Sequence, residues 1–177
     1  MKKILPLLFG MLILLVGCSN KEKNYNVYTG KDLKIGVIGT NPAIREENII
    51  FQKITFEDLK NNTEYLSKEL DAIMIMKKFL SEAADDQYVL SYKTLKVPIF
   101  FMQSTKAHVP FVNEGVQYDD VIDIQPSSYA TGFLYLGTDQ EYKDNTWRYE
   151  LKNKENIQDV FSRIFSTIES VKLLIYI

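Results

Sequence analysis

Ser104, Lys106 and His108 stand together in the stretch Ser-Thr-Lys-Ala-His. A serine near a histidine suggests a nucleophile and its general base, as in a hydrolase. Such a histidine needs a carboxylate to orient it. Asp119, Asp120 or Asp123 would have to fold back to supply one, and no spacing in the chain requires that. A lone loop histidine that is simply exposed or bonded to backbone accounts for the residue as well. The hydrolase reading therefore ranks third, and the chain is expected not to be an enzyme.

Other reactive patterns are thin. Gly36-Val-Ile-Gly39 lacks the Gly-x-Gly-x-x-Gly spacing that lets backbone approach a pyrophosphate. There is no P-loop and no Gly-x-Ser-x-Gly elbow. One His and one Cys leave too few ligands for a zinc site of the usual kind, and no metal or cofactor is expected. Asp139, Glu141, Asp144 and Asn145 could offer oxygen to calcium but lack EF-hand spacing; a solvated hairpin tip is the simpler account. A receiver-type phosphoacceptor needs carboxylates where this chain has Gly39-Thr40-Asn41 and Met76-Lys77, so that reading fails.

A second set of residues gains meaning from the elements around it. Leu33–Gly39 is apolar and β-rich, closed by a Gly-Thr-Asn-Pro turn. Ile49–Ile54 predicts a second strand. Thr55-Phe-Glu-Asp58 resembles a capping box, and Phe56, Leu59, Thr63, Leu66 and Leu70 then follow at helical spacing. Asp71–Met76 and Val97–Gln103 are apolar on both faces, as central strands of a covered parallel sheet are. Residues 78–96 predict helix, broken near Asp85-Asp86. A short strand is expected over Val121–Gln125. Gly132–Thr138 and Thr146–Leu151 predict an antiparallel hairpin, with Trp147, Tyr149 and Leu151 on one face. Ile157, Val160, Phe161, Ile164, Phe165, Ile168 and Val171 form one apolar stripe of a closing amphipathic helix. Leu173–Ile177 could prolong that helix, add a strand or fold back.

Strands alternating with helices predict an α/β fold. The expected form is a small three-layer domain, Rossmann-like or flavodoxin-like in outline. Its sheet is mainly parallel, with an antiparallel hairpin and the C-terminal helix added. In such sheets ligands bind beyond the carboxyl ends of the strands. That rule selects Thr40 and Asn41, then Lys77 with Lys78, then Ser104, Thr105, Lys106 and His108. They would form a polar, locally basic rim suited to a small anion. Polar loops needed only for solubility are the competing account. Tyr142, Trp147 and Tyr149 fall in the irregular half. Large rings with polar tips suit an interface with a protein partner, and they are also ordinary strand residues.

The N-terminus carries the most specific pattern. Lys2 and Lys3 precede the apolar run Ile4–Val16, which is shorter than the roughly 20 residues a membrane-spanning helix needs. The run ends in Leu15-Val16-Gly17-Cys18. A basic start, a short apolar core and a small residue before the cut describe a secretory signal. Leu-Val-Gly-Cys resembles the lipobox of bacterial lipoproteins. The resemblance implies that residues 1–17 are removed and that Cys18 carries a diacylglyceryl group. It also implies a protein held on the extracytoplasmic face of the cell membrane. Two acyl chains on one glycerol hold stably where a single chain binds reversibly. Residues 18–30 are then the lipidated cysteine and a polar tether, and 31–177 a single α/β domain.

Composition narrows the partners. The formal net charge is −2, and losing Lys2 and Lys3 with the signal leaves the remainder more acidic. Nucleic-acid binding wants a basic stripe and is not expected. The first functional reading is a non-catalytic lipoprotein acting as an interaction or accessory module, perched on a membrane or envelope protein. The second is a small-ligand module using the strand-end rim.

Overall fold

The computed structural model describes residues 26–137, 143–152 and 156–175, with side chains through Leu173. Six strands form one sheet in the order β2-β1-β3-β4-β5-β6. β1 (Leu33–Ile38), β2 (Ile49–Lys53), β3 (Ala72–Ile75) and β4 (Ile99–Met102) run parallel. β5 (Ser128–Tyr135) and β6 (Asp144–Glu150) add the antiparallel pair at one edge. The expected α/β architecture is the observed one.

The two-residue period of the strands divides the core. Ile73, Ile75, Ile99 and Phe101 point to one face, where α1 (Phe56–Asn61), α2 (Thr63–Glu69), α3 (Leu80–Ala83), α4 (Val89–Thr94) and α5 (Val109–Val112) pack. Ile35, Val37, Met74, Phe100 and Met102 point to the other, which α6 (Ile157–Ile175) covers with Val160, Phe161, Ile164, Phe165 and Ile168. The stripe read from the sequence is thus the buried face of α6. That helix runs on through Leu173 to Ile175. Among the described residues no helix is long and apolar enough to cross a membrane.

The connections follow one hand. The β1–β2 loop lies on the α6 face, where Ile44 packs. The β2–β3 and β3–β4 connections lie on the opposite face. β2 sits on one side of β1 and β3 on the other. Opposite directions over opposite faces keep every crossover right-handed, as parallel units require.

Local signals explain most boundaries. Thr55 caps α1 through a complete capping box with Asp58, worth roughly 1 kcal/mol. The helix then breaks at Asn62, whose backbone sits at φ −127° and ψ 28°, so the expected single helix is two. Leu59, Leu66 and Leu70 stay buried across the break. The Asp85 carboxylate accepts from Gln87 N–H and interrupts residues 78–96 where a break was expected.

Three expectations need correction. Val121–Gln125 forms no strand. Ile124 N–H bonds the Thr105 carbonyl, Lys106 Nζ bonds the Val121 carbonyl, Thr105 Oγ1 donates to Asp123, and Ile122 is 85% exposed, so one backbone bond and two side-chain ties stand in place of a ladder. β5 begins at Ser128, ahead of Gly132, because β4 pairs as far as Met102 with Ala130. The tether was expected to reach Gly30, yet Tyr28 is 6% exposed. Its ring meets Phe165 edge-on at 5.9 Å and its hydroxyl donates to the Lys31 carbonyl. Burial, aided by the charge of Glu169, pushes that hydroxyl up to about 12.

Candidate functional site

β1 and β3 are neighbours whose chains leave over opposite faces of the sheet. That is a topological switch point, and it opens a crevice beyond their carboxyl ends. The backbone there is specialised. Gly39 ends β1 at φ +125°, and a Cβ on it would lie 2.9 Å from Met76 Cβ. Gln103 ends β4 at φ 58°, the one non-glycine residue with positive φ among those described. Such a conformation costs about 1–3 kcal/mol and gathers at functional sites. The Gln103 amide donates to the Tyr129 hydroxyl at 3.3 Å.

Two cavities meet at this edge. The first, about 570 Å³, lies over the ends of β1 and β2. Its floor is Phe56, Phe79 and Tyr88, with Phe56 stacked on Tyr88 at 4.7 Å and edge-on to Phe79 at 6.3 Å. Lys53, Lys78, Glu57 and Glu82 stand around it. The second, about 520 Å³, lies over the ends of β3 and β4 and includes Met76, Lys77 and Gln103. Thr40, Lys78 and Phe79 line both, so the two form one groove. Lys53, Lys77 and Lys78 are exposed, and none enters an ion pair among the described residues. Burial, then the charges of Glu82, Asp85 and Glu57, push the Tyr88 hydroxyl above its ordinary range.

The loop that carries Thr40 is anchored to α6. Ser162 donates to Glu46 and accepts from Arg45, whose Nε lies 3.7 Å from the Glu46 carboxylate. Gln158 donates to the Ala43 carbonyl at 2.9 Å. The Glu46 side chain has no exposed surface.

The rim expected from the sequence therefore divides. Thr40 and Lys77 line the groove; Asn41 is exposed beside Thr40 and lines neither cavity. Ser104, Lys106 and His108 line neither cavity as well, which corrects their assignment to the rim. Ser104 is fully buried; its hydroxyl bonds the Lys106 backbone and lies 3.4 Å from the Tyr118 hydroxyl. Lys106 pairs with Asp123 at 3.0 Å and sits over the Tyr118 ring. Hydrogen bonds from Thr105 and Lys106 hold the Asp123 carboxyl below its usual range. These groups brace the chain between β4 and β5. His108 stacks on Phe133 at 5.8 Å, with Nε2 4.0 Å from Asp144. Burial holds its imidazole below the ordinary histidine range. Among the described residues no hydrogen bond joins His108 to Ser104, so the serine–histidine pair is not assembled.

The aromatic residues are likewise reassigned. Tyr149 is buried; its hydroxyl meets Thr167 Oγ1 at 2.7 Å and its ring lies under Arg163. Burial pushes that hydroxyl up to about 12. Trp147 is half-buried against Phe100, in space left by Gly132. Tyr142 and Cys18 lie outside the described residues. Among the described residues no three His, Cys, Asp or Glu side chains gather to hold a metal ion.

Sequence reasoning missed Gln103, Glu57, Glu82 and Tyr88. Glu57 and Glu82 sit in first turns of short helices, where acidic residues are common. Nothing local places those helices beside β1. Comparison of the chain with protein-family models, with curated proteins and with solved structures finds no match.

Proposed function

We propose that this chain is a lipid-anchored, extracytoplasmic, non-catalytic module that binds a small ligand in the strand-end groove. The observation that carries the ligand reading is the groove's position. It opens at the switch point between β1 and β3, where α/β sheets place ligands. Its larger cavity, about 570 Å³, lies within the roughly 300–1,000 Å³ of small-molecule sites. An aromatic floor with a few convergent charged groups fits that class of site. Support for the anchor is the pattern from Lys2 to Cys18. Attachment is through lipid on Cys18, with the domain held above the cell membrane.

This order reverses the one drawn from the sequence. The protein-interaction reading leaned on Tyr142, Trp147 and Tyr149. Tyr149 is engaged inside the core and Trp147 packs on Phe100, so two of its three rings serve packing, while Tyr142 lies outside the described residues.

Two measurements test the proposal. Expression in a bacterium with a lipoprotein pathway, beside Cys18→Ala, tests the anchor: wild type is expected in the membrane fraction with incorporated labelled fatty acid, the variant without it. Equal membrane recovery of an unlabelled variant overturns it. A thermal-shift screen of small organic anions, cations and zwitterions on the full-length protein in detergent tests the groove. Stabilisation lost in Lys78→Glu supports it; no stabilisation by any compound overturns it.

A further inference from the structure

Resting on the lipid-anchor reading, we infer that the domain lays the amino edge of its sheet on the bilayer, so that the groove, at the opposite edge, opens away from the membrane. The observation is where the chain enters the fold. Tyr28 packs edge-on against Phe165 of α6, and its hydroxyl donates to the Lys31 carbonyl. Lys31 N–H donates to Glu169 at 3.1 Å, and the Asn48 side chain donates to the Gly30 carbonyl at 2.7 Å. These bonds fix residues 28–31 just ahead of Leu33, the amino end of β1. α6 runs from one edge of the sheet to the other. Gln158 bonds Ala43, beyond the carboxyl end of β1, while Lys172 pairs with Asp71, just ahead of β3. A lipid on Cys18 therefore holds the domain by its amino edge, and Thr40, Lys77 and Lys78 lie at the opposite one.

Chain length decides against the reverse arrangement. Tyr28 stands ten residues after Cys18. Fully extended, a chain of that length spans at most about 36 Å. From Gln158 to Lys172 the helix rises about 21 Å. Laying the groove edge on the bilayer would commit more than half of that reach to running back along the domain, and extension costs conformational entropy. The amino edge asks for no such extension. It also offers apolar contact, with which binding at a membrane surface grows. Val27, next to Tyr28, is 43% exposed, and Leu173, one turn beyond Glu169, is 54% exposed. Lys34 pairs with Glu69 and Lys172 with Asp71, so these cations are matched within the edge and the contact needs no anionic lipid. A ligand of the groove then arrives from the aqueous side and not from the bilayer.

The test uses the full-length protein purified from the membranes of a bacterium with a lipoprotein pathway. It is reconstituted into phosphatidylcholine vesicles that carry a nitroxide on the headgroup. The chain has one cysteine, so once Cys18 is acylated an introduced cysteine is the one thiol open to a fluorophore. The labelled positions are Leu173→Cys at the amino edge, Lys78→Cys at the groove and Leu90→Cys on α4, all exposed in the fold. Collisional quenching by the nitroxide needs contact. Fluorescence is expected to fall at residue 173 and to be unchanged at 78 and 90. Quenching at 78 or 90 equal to that at 173 overturns the inference, and so does quenching at none of the three. In those cases flotation of the protein with the vesicles keeps the anchor reading. If the wild type does not float with them, the anchor reading falls and the inference falls with it.

Discussion

The carboxyl edge of β1 and β3 and the antiparallel flank of β5 and β6 draw on the same residue types. Each has cations, aromatic rings and hydroxyl groups. In the flank and the loop that leads into it these groups are consumed. Lys106 bonds Val121 and Asp123, Ser104 bonds its own loop, and Tyr149 meets Thr167 beneath Arg163. At the strand-end edge Lys53, Lys77 and Lys78 stand exposed around rings that line open space. Residue type therefore says little about function here. Position relative to the switch point decides which side chains line open space and which hold the fold.

That contrast predicts large stability effects in the flank with little effect on binding, and the reverse in the groove. The largest is Phe133→Ala. Phe133 is fully buried on β5, and deleting it should cost about 3–5 kcal/mol. Urea denaturation of the full-length protein measures this, and a loss below about 1 kcal/mol would break the comparison. Next is Ser104→Ala. It removes the acceptor for Lys106 N–H in a fully buried place, at about 1–3 kcal/mol. Ligand-induced stabilisation should persist in that variant, and its loss would return Ser104 to the site. Tyr149→Phe removes one buried hydroxyl and its bond to Thr167; the expected cost is about 0.5–1.5 kcal/mol.

A smaller effect comes from pH. Burial lowers the folded-state pKa of His108 below its unfolded value near 6.5. The unfolded chain thus binds the proton more readily, so stability from this group is full above about pH 6.5 and falls as pH drops through the folded value. Denaturation midpoints taken downward from pH 7 should fall less steeply in His108→Phe than in wild type. An unchanged slope would show that His108 is not the group. Smallest is Lys78→Gln, an exposed groove residue, expected within about 0.5 kcal/mol of wild-type stability. It should nonetheless weaken any ligand that stabilises the wild type.

Legibility tracked how local each cause is. The capping box at Thr55 and the interruption at Asp85 involve neighbours within three residues, and both were readable. The α6 stripe was readable because burial on one helix face imposes its own period. The break at Asn62 was missed because the apolar spacing of Leu59, Leu66 and Leu70 runs straight through it. Val121–Gln125 misled because its strand-like composition is overruled by side chains of Thr105 and Lys106. Tyr28 looked like part of a polar tether, and only Phe165, far along the chain, makes it core.

The site divides the same way. Thr40 and Lys77, which line the groove, came from one rule, that ligands gather at strand ends, applied to strands visible in the sequence. The same rule also selected Ser104, Lys106 and His108, which line neither cavity, because it does not show where the chain turns away just past a strand end. Strand types, helix faces and the lipobox resemblance before Cys18 rest on contiguous residues, so sequence alone determined them. The order β2-β1-β3-β4 rests on pairings between distant segments. Only the tertiary structure decided that β1 adjoins β3, that α1 and α3 line one cavity over the ends of β1 and β2, and that the β4–β5 loop seals Ser104 away. Strand order is a property of the whole sheet, and no short stretch of chain encodes it.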